Sequence, residues 1–186
     1  MTIRTLNADD TRYPARLRER LGDDAPAQLS ALGNLELLAL PKTALFCSVR
    51  SPGHVILPAY DLAATWRDAG RCVIGSFHSP VEKECLNILL RGKQPIILCP
   101  ARSLTGMRIP GAWQKAIEAG RMLILSSFPD APRRVTTVFA ARRNEFVAAL
   151  ADEVFIAHTA VGGKTERLQN RITEWGIPFV QDAIAK

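Results

Sequence analysis

A three-layer α/β/α domain on a mostly parallel sheet is the fold class that this 186-residue sequence predicts, and three observations lead to it. From Lys42 onward, short apolar runs without polar alternation take turns with longer amphipathic stretches, the pattern of strands buried on both faces by crossover helices. Gly70, Gly92, Gly120 and Gly176 each fall just past a helical stretch and before the next apolar run, where a left-handed C-cap favours a residue without a Cβ. The composition, 47% hydrophobic and 23% charged, is ordinary for a globular chain, and the length suffices for one core.

The elements follow in order. Tyr13-Pro14 leads into ARLRERL, where Leu17 and Leu21 stand four apart among charges and predict a short amphipathic helix. The turn DDAPAQ and the short apolar piece LSALG come next. Asn34 then caps the turn LELLAL through its side-chain oxygen, and Pro41 stops it. Residues 1–40 are therefore expected to be a short helical N-terminal extension packed on the core, and residues 41–186 a Rossmann-like domain. TALFCSV, YDLAATWRDAG, RCVIGSF, VEKECLNILLRG and PIILCPA read as βαβαβ. WQKAIEAG, RMLILSSF, NEFVAALAD, EVFIAHTA, TERLQNRITEWG and the short last strand IPFV continue the rhythm, giving five or six parallel strands.

A formal net charge of +6 and a pI near 9.5 favour an anionic partner. Cys47, Cys72, Cys85 and Cys99 form no CxxC pair and no zinc spacing; they read as buried thiols of a reducing compartment, which points to the cytoplasm. The N-terminus has no apolar core of signal-peptide type, and no stretch approaches the roughly 18 apolar residues of a membrane span. No membrane partner is expected. His54, His78 and His158 are scattered without carboxylates at ligand spacing, so neither metal nor cofactor is expected. There is no GxSxG elbow, and Cys85 lacks an evident base, so no catalytic residue is assigned.

In an open parallel sheet, ligands bind at the carboxyl ends of the strands. Three segments there are small and polar: SVRSPG at 48–53, GSFHSP at 75–80 and HTAVGGKT at 158–165. Gly162 and Gly163 let backbone approach an anion, and Lys164 and Thr165 add a charge and a hydroxyl at a helix start. This is not a Walker A loop, because His158 holds the position of its first glycine. Arg142, Arg143 and Asn144 open another helix with groups suited to phosphate oxygens, and Arg133 and Arg134 lie just upstream. Arg50 ends the first strand as a salt-bridge partner or an anion clamp. Glu82 and Glu84 are read as helix-start carboxylates favoured by the dipole.

Three segments together resemble the DprA/Smf family of DNA-processing proteins. Tyr13-Pro14 with ARLRERL and ALGNLELL is similar to the family's YP…L and (R)GNLELL passage. FCSVRSPG resembles its VGSR-x-P turn, with Arg50 on the Arg and Ser48 and Val49 on the Gly-Ser. RRNEFVAALADEVFIAHTAVGGKT resembles its RRNRIIAGLSD stretch and the glycine-containing phosphate loop that follows. The chain departs from the family where SGLARGID-x-x-AH becomes GSFHSPVEKECL, with Pro80, Glu82 and Leu86 for the glycine, aspartate and histidine, and where Ser127 replaces the acid of SEYP. The C-terminal winged helix that many members carry is not expected. The resemblance implies a Rossmann-like fold, binding of single-stranded DNA in a basic strand-end pocket, self-association as a homodimer, and delivery of DNA to a RecA-type recombinase in natural transformation. Ser48, Arg50, Arg142, Arg143, Asn144, Gly162, Gly163, Lys164 and Thr165 would make that pocket, in a binding protein rather than an enzyme. The alternatives are a nucleotide-binding sensor, or a nucleotide phosphoribohydrolase of the LOG type, whose PGGxGTxxE loop GGKTERL matches in part at Gly162, Gly163, Thr165 and Glu166.

Overall fold

The computed structural model describes residues 2–128, 136–159 and 162–180. Its elements are β1 (Arg4–Asn7), α1 (Ala15–Leu21), β2 (Gln28–Gly33), β3 (Lys42–Phe46), α2 (Ile56–Asp68), β4 (Cys72–Gly75), α3 (Pro80–Leu90), β5 (Ile96–Leu98), α4 (Gly111–Glu118), β6 (Met122–Ser126), α5 (Thr137–Leu150), β7 (Glu153–Ile156) and α6 (Lys164–Glu174). They form one sheet in the order β1-β2-β6-β5-β4-β3-β7, a Rossmann-like α/β architecture. The run from β6 to β7 is parallel, while β1 and β2 pair antiparallel at the β6 edge. None of the described helices is long and apolar enough to cross a membrane.

The apolar runs are strands because both faces are covered, and the period of two sorts their side chains between two cores. On one face Ala44, Phe46, Leu123 and Leu125 meet Leu17 and Leu21 of α1, Phe146 and Leu150 of α5, and Leu168 and Ile172 of α6. On the other, Leu45, Cys47, Met122 and Ile124 meet Ala63 and Trp66 of α2, Cys85 and Leu89 of α3, and Ala116 of α4. All four cysteines are buried free thiols, as expected.

Three details depart from the sequence reading. LSALG lies within β2, so the N-terminal extension supplies two strands besides its helix, and the sheet continues through it. Gly33 makes the close approach to β6 possible, since a Cβ there would collide with the Met122 carbonyl. The expected last strand, IPFV, reduces to one parallel bridge between Phe179 and Val154, leaving five parallel strands. Gly92 is not in the left-handed region; a Cβ there would run into the side chains of Arg67 and Gln94. Asn34 caps its turn as expected, accepting from the Glu36 N–H at 3.1 Å.

At the amino ends of the parallel strands the charges are paired. Asp152 accepts from the Lys42 backbone N–H at 2.8 Å and pairs with Arg16 of α1, tying that helix to the sheet. The buried Lys42 ammonium donates to the carbonyls of Leu38 and Leu40 at 3.0 and 2.7 Å. Beside it Arg71 pairs with Glu153. Burial pulls the Asp152 carboxyl upward, but the hydrogen bonds from Arg16 and the Lys42 backbone outweigh it and hold the group below its ordinary range. Asp152→Ala is expected to cost about 1–2 kcal/mol of stability, a partly exposed pair being worth less than a buried one. Because the folded carboxyl titrates below its unfolded value of about 4, its contribution is in force above that value and is lost as pH falls through the folded one. Urea denaturation should therefore show a gap between wild type and Asp152→Ala at neutral pH that narrows in acid.

Candidate functional site

The sheet reverses its strand order at β3: the chain leaves β3 for α2 on one face and leaves β7, the adjacent strand, for α6 on the other. Two loops diverge there from neighbouring strands, and it is outside the carboxyl ends of such a pair that an open α/β sheet forms its ligand crevice. Ser48 spans its floor, its hydroxyl donating to the His158 carbonyl at 3.1 Å and sharing a hydrogen bond with Thr165 Oγ1 at 3.0 Å. Ser51 Oγ donates to the Ser48 carbonyl at 2.8 Å and so steadies the loop. Arg50 lies exposed two residues beyond Ser48, and Lys164 lies exposed beside Thr165 in the first turn of α6. Neither makes an ion pair among the described residues. Gly163 caps α6 without a side chain, so the positive end of the helix dipole faces the crevice. Gly162, at φ 70, donates its N–H to the Glu166 carboxylate at 2.7 Å.

The wall beside β4 is held by Glu82, only 4% exposed. One carboxylate oxygen accepts from the Cys47 N–H at 2.9 Å; the other accepts from Ser76 Oγ at 2.7 Å, from the His78 N–H at 2.8 Å and, more weakly, from the Ser79 N–H at 3.4 Å. Ser79 answers by accepting from the Glu82 N–H at 3.2 Å, which completes a capping box at the start of α3. The loop so clamped carries Phe77 at φ 48, a conformation a bulky residue adopts only where its surroundings impose it. The helix-dipole reading of Glu82 thus understates it. The signal available in the sequence was the S-x-x-E spacing of Ser79 and Glu82 directly after a strand.

The residues expected to share one basic pocket do not all meet. Neighbours in a helix point about 100° apart, and the two arginines of α5 diverge accordingly. Arg143 is buried, its guanidinium donating to Asn144 Oδ1 at 3.0 and 2.9 Å. It lies by the β4 and β5 ends: burial lowers its pKa, while Glu82 and Cys99 favour its charge. Burial, then the nearby Arg143 and Lys83 charges, hold His78 below its ordinary range, so it adds no positive charge at neutral pH. Arg142 is exposed and lines a separate cavity of about 530 Å³ with Asp23, Asp24, Glu145 and Phe128. Arg133 and Arg134 lie outside the described residues. The structure also brings to this end of the sheet the segment after β5, residues 99–110, with Arg102 and the exposed Arg108. Its place after the third parallel strand was the clue to it. Among the described residues, no three His, Cys, Asp or Glu side chains gather as metal ligands would.

Comparisons with known proteins follow the same lines. A family model described as DNA recombination-mediator protein A matches residues 4–164. No curated protein matches the chain. Among solved structures, DNA processing protein A (DprA) from Streptococcus pneumoniae is similar with a TM-score of 0.78 at 19% identity, over 100% of this chain and 65% of that one, so the chain spans less than two thirds of that protein. DNA processing protein A from Helicobacter pylori, described by its unique single-stranded DNA binding mode, is similar with a TM-score of 0.74 at 20% identity, over 96% of this chain and 80% of that one. A molybdenum cofactor binding protein from Rippkaea orientalis follows with a TM-score of 0.52 at 11% identity, over 75% of this chain and 74% of that one. At these identities the solved structures show the fold.

The clamp at Glu82 yields a prediction. Glu82→Ala leaves the buried Cys47 N–H and Ser76 hydroxyl without their acceptor, at about 1–3 kcal/mol each, and frees the partly buried His78 N–H, so a loss of at least about 2 kcal/mol is expected. Glu82→Gln keeps one acceptor oxygen and should lose roughly half of that. A thermal melt of Glu82→Ala at the wild-type temperature would show that the carboxylate holds nothing.

Proposed function

The chain belongs to the DNA recombination-mediator protein A family, and from that premise we propose that it binds single-stranded DNA in the crevice between the β3 and β7 loops. The observation that supports the reading is the bridge from Ser48 to Thr165, which joins the loop that carries the exposed Arg50 to the helix start that carries the exposed Lys164, neither of them in an ion pair among the described residues. Phosphate oxygens supply what that arrangement lacks. Arg50 and Lys164 neutralise them, Ser48 and Thr165 offer hydroxyls, and the Gly162-Gly163 backbone lets the strand come close. The Helicobacter pylori relative, described by its single-stranded DNA binding, supports the choice of ligand.

Arg143, its guanidinium held by Asn144, adds a positive charge behind the crevice wall, while Arg142 stands apart. Family membership extends the proposal to a cytoplasmic homodimer that hands its strand to a RecA-type recombinase during natural transformation. The nucleotide-cleaving alternative needs Glu166 as a free acid, whereas its carboxylate is engaged by the Gly162 N–H, which favours binding over catalysis.

Fluorescence anisotropy with a labelled thymidine oligonucleotide tests the reading. Each phosphate neutralised contributes about −0.7 to the slope of log affinity against log salt. Arg50→Ala/Lys164→Ala is therefore expected to flatten the slope by about 1.4 and to weaken binding at least about tenfold at low salt. Arg142→Ala should leave both nearly unchanged. Absence of wild-type binding at low salt would sink the proposal.

A further inference from the structure

Five large apolar side chains are exposed among the described residues, and three of them lie at the carboxyl end of the parallel strands: Val49 at 68%, Leu57 at 69% in the first turn of α2, and Val138 at 59% in the first turn of α5. An exposed valine alone needs no explanation. Concentrated on the face that carries the unpaired cations, such side chains do. Val49 is the most telling because its neighbours are Ser48, tied to Thr165, and Arg50, so an apolar surface sits between two groups suited to phosphate. A free phosphate has nothing to offer it.

Resting on the single-strand reading above, we infer that Val49 is a specificity-determining residue that packs against an unstacked nucleobase while Arg50 and the α6 terminus hold the flanking phosphates. Single strands present apolar base faces next to their phosphates, and a duplex hides those faces in its stack. Val49 thereby selects single strand over duplex. Contact with a base face asks no particular hydrogen-bond pattern, so the selection is for strandedness rather than sequence.

The test compares wild type, Val49→Ser and Val49→Leu by fluorescence anisotropy on two labelled ligands: a thymidine oligonucleotide, and a deoxyribose-phosphate oligomer of the same length without bases. Wild type and Val49→Leu should favour the oligonucleotide. Val49→Ser should bind it about fivefold more weakly, as expected for loss of roughly 40 Å² of buried apolar contact, with an unchanged salt slope and unchanged binding of the baseless oligomer. A Val49→Ser protein that keeps the wild-type preference overturns the inference and leaves the single-strand reading intact, as does a wild type that binds both ligands equally. A Val49→Ser protein that keeps the preference but no longer self-associates in sedimentation assigns the valine to a second copy of the chain instead. A wild type that binds neither ligand at low salt removes the reading and the inference together.

Discussion

One buried carboxylate fixes the shape of the end of the molecule where function is proposed. Glu82 reaches from the first turn of α3 to the backbone of Cys47 at the end of β3 and to Ser76 and His78 after β4. Three strand-end donors share one acid, and the two buried ones, from Cys47 and Ser76, are worth more there than in water. The loop between Gly75 and Ser79 can then hold Phe77 in its strained conformation, and the β3 loop starts from a fixed point before it reaches Ser48. The strand ends are thus held by a packed carboxylate as well as by the Ser48–Thr165 bridge, the condition under which binding groups keep their geometry.

The two ends of the sheet divide the electrostatic work. At the amino ends, Asp152 and Glu153 answer Lys42, Arg16 and Arg71 within contact distance. At the carboxyl ends Glu82 is withdrawn into its clamp and Glu166 is engaged by the Gly162 N–H, while Arg50 and Lys164 make no ion pair among the described residues. The net charge of +6 does not by itself create a binding face. It is the pairing at one end that leaves the other unbalanced.

The parallel strands were legible because each is a short apolar run whose two faces are both buried, and that property is visible residue by residue in TALF and MLILS. β2 was not, since LSALG is apolar enough for a strand but owes its place to Gly33 lying against Met122, far along the chain. IPFV has strand-like residues, yet only Phe179 finds a partner. At the strand ends, Ser48 meets Thr165 at the start of α6, and Arg50 follows two residues later on the β3 loop. Arg142 and Arg143 could not be told apart by composition: which of two adjacent helical residues faces the core depends on where α5 sits relative to α1 and the sheet, and a run of charges carries no phase. Glu82 was hidden for the opposite reason, a helix-start acid being common enough to need no further role.

The antiparallel pairing of β2 with β6 also sets an order of events during synthesis. β2 leaves the ribosome early, but its partner, Met122–Ser126, is made only after β3, β4 and β5. Until then the apolar LSALG segment can pair only with β1, and α1 lacks the α5 surface that buries Leu17 and Leu21. The β1–β2 pair is thus made before the sheet edge it joins, and the other edge of β2 stays open until β6 follows it.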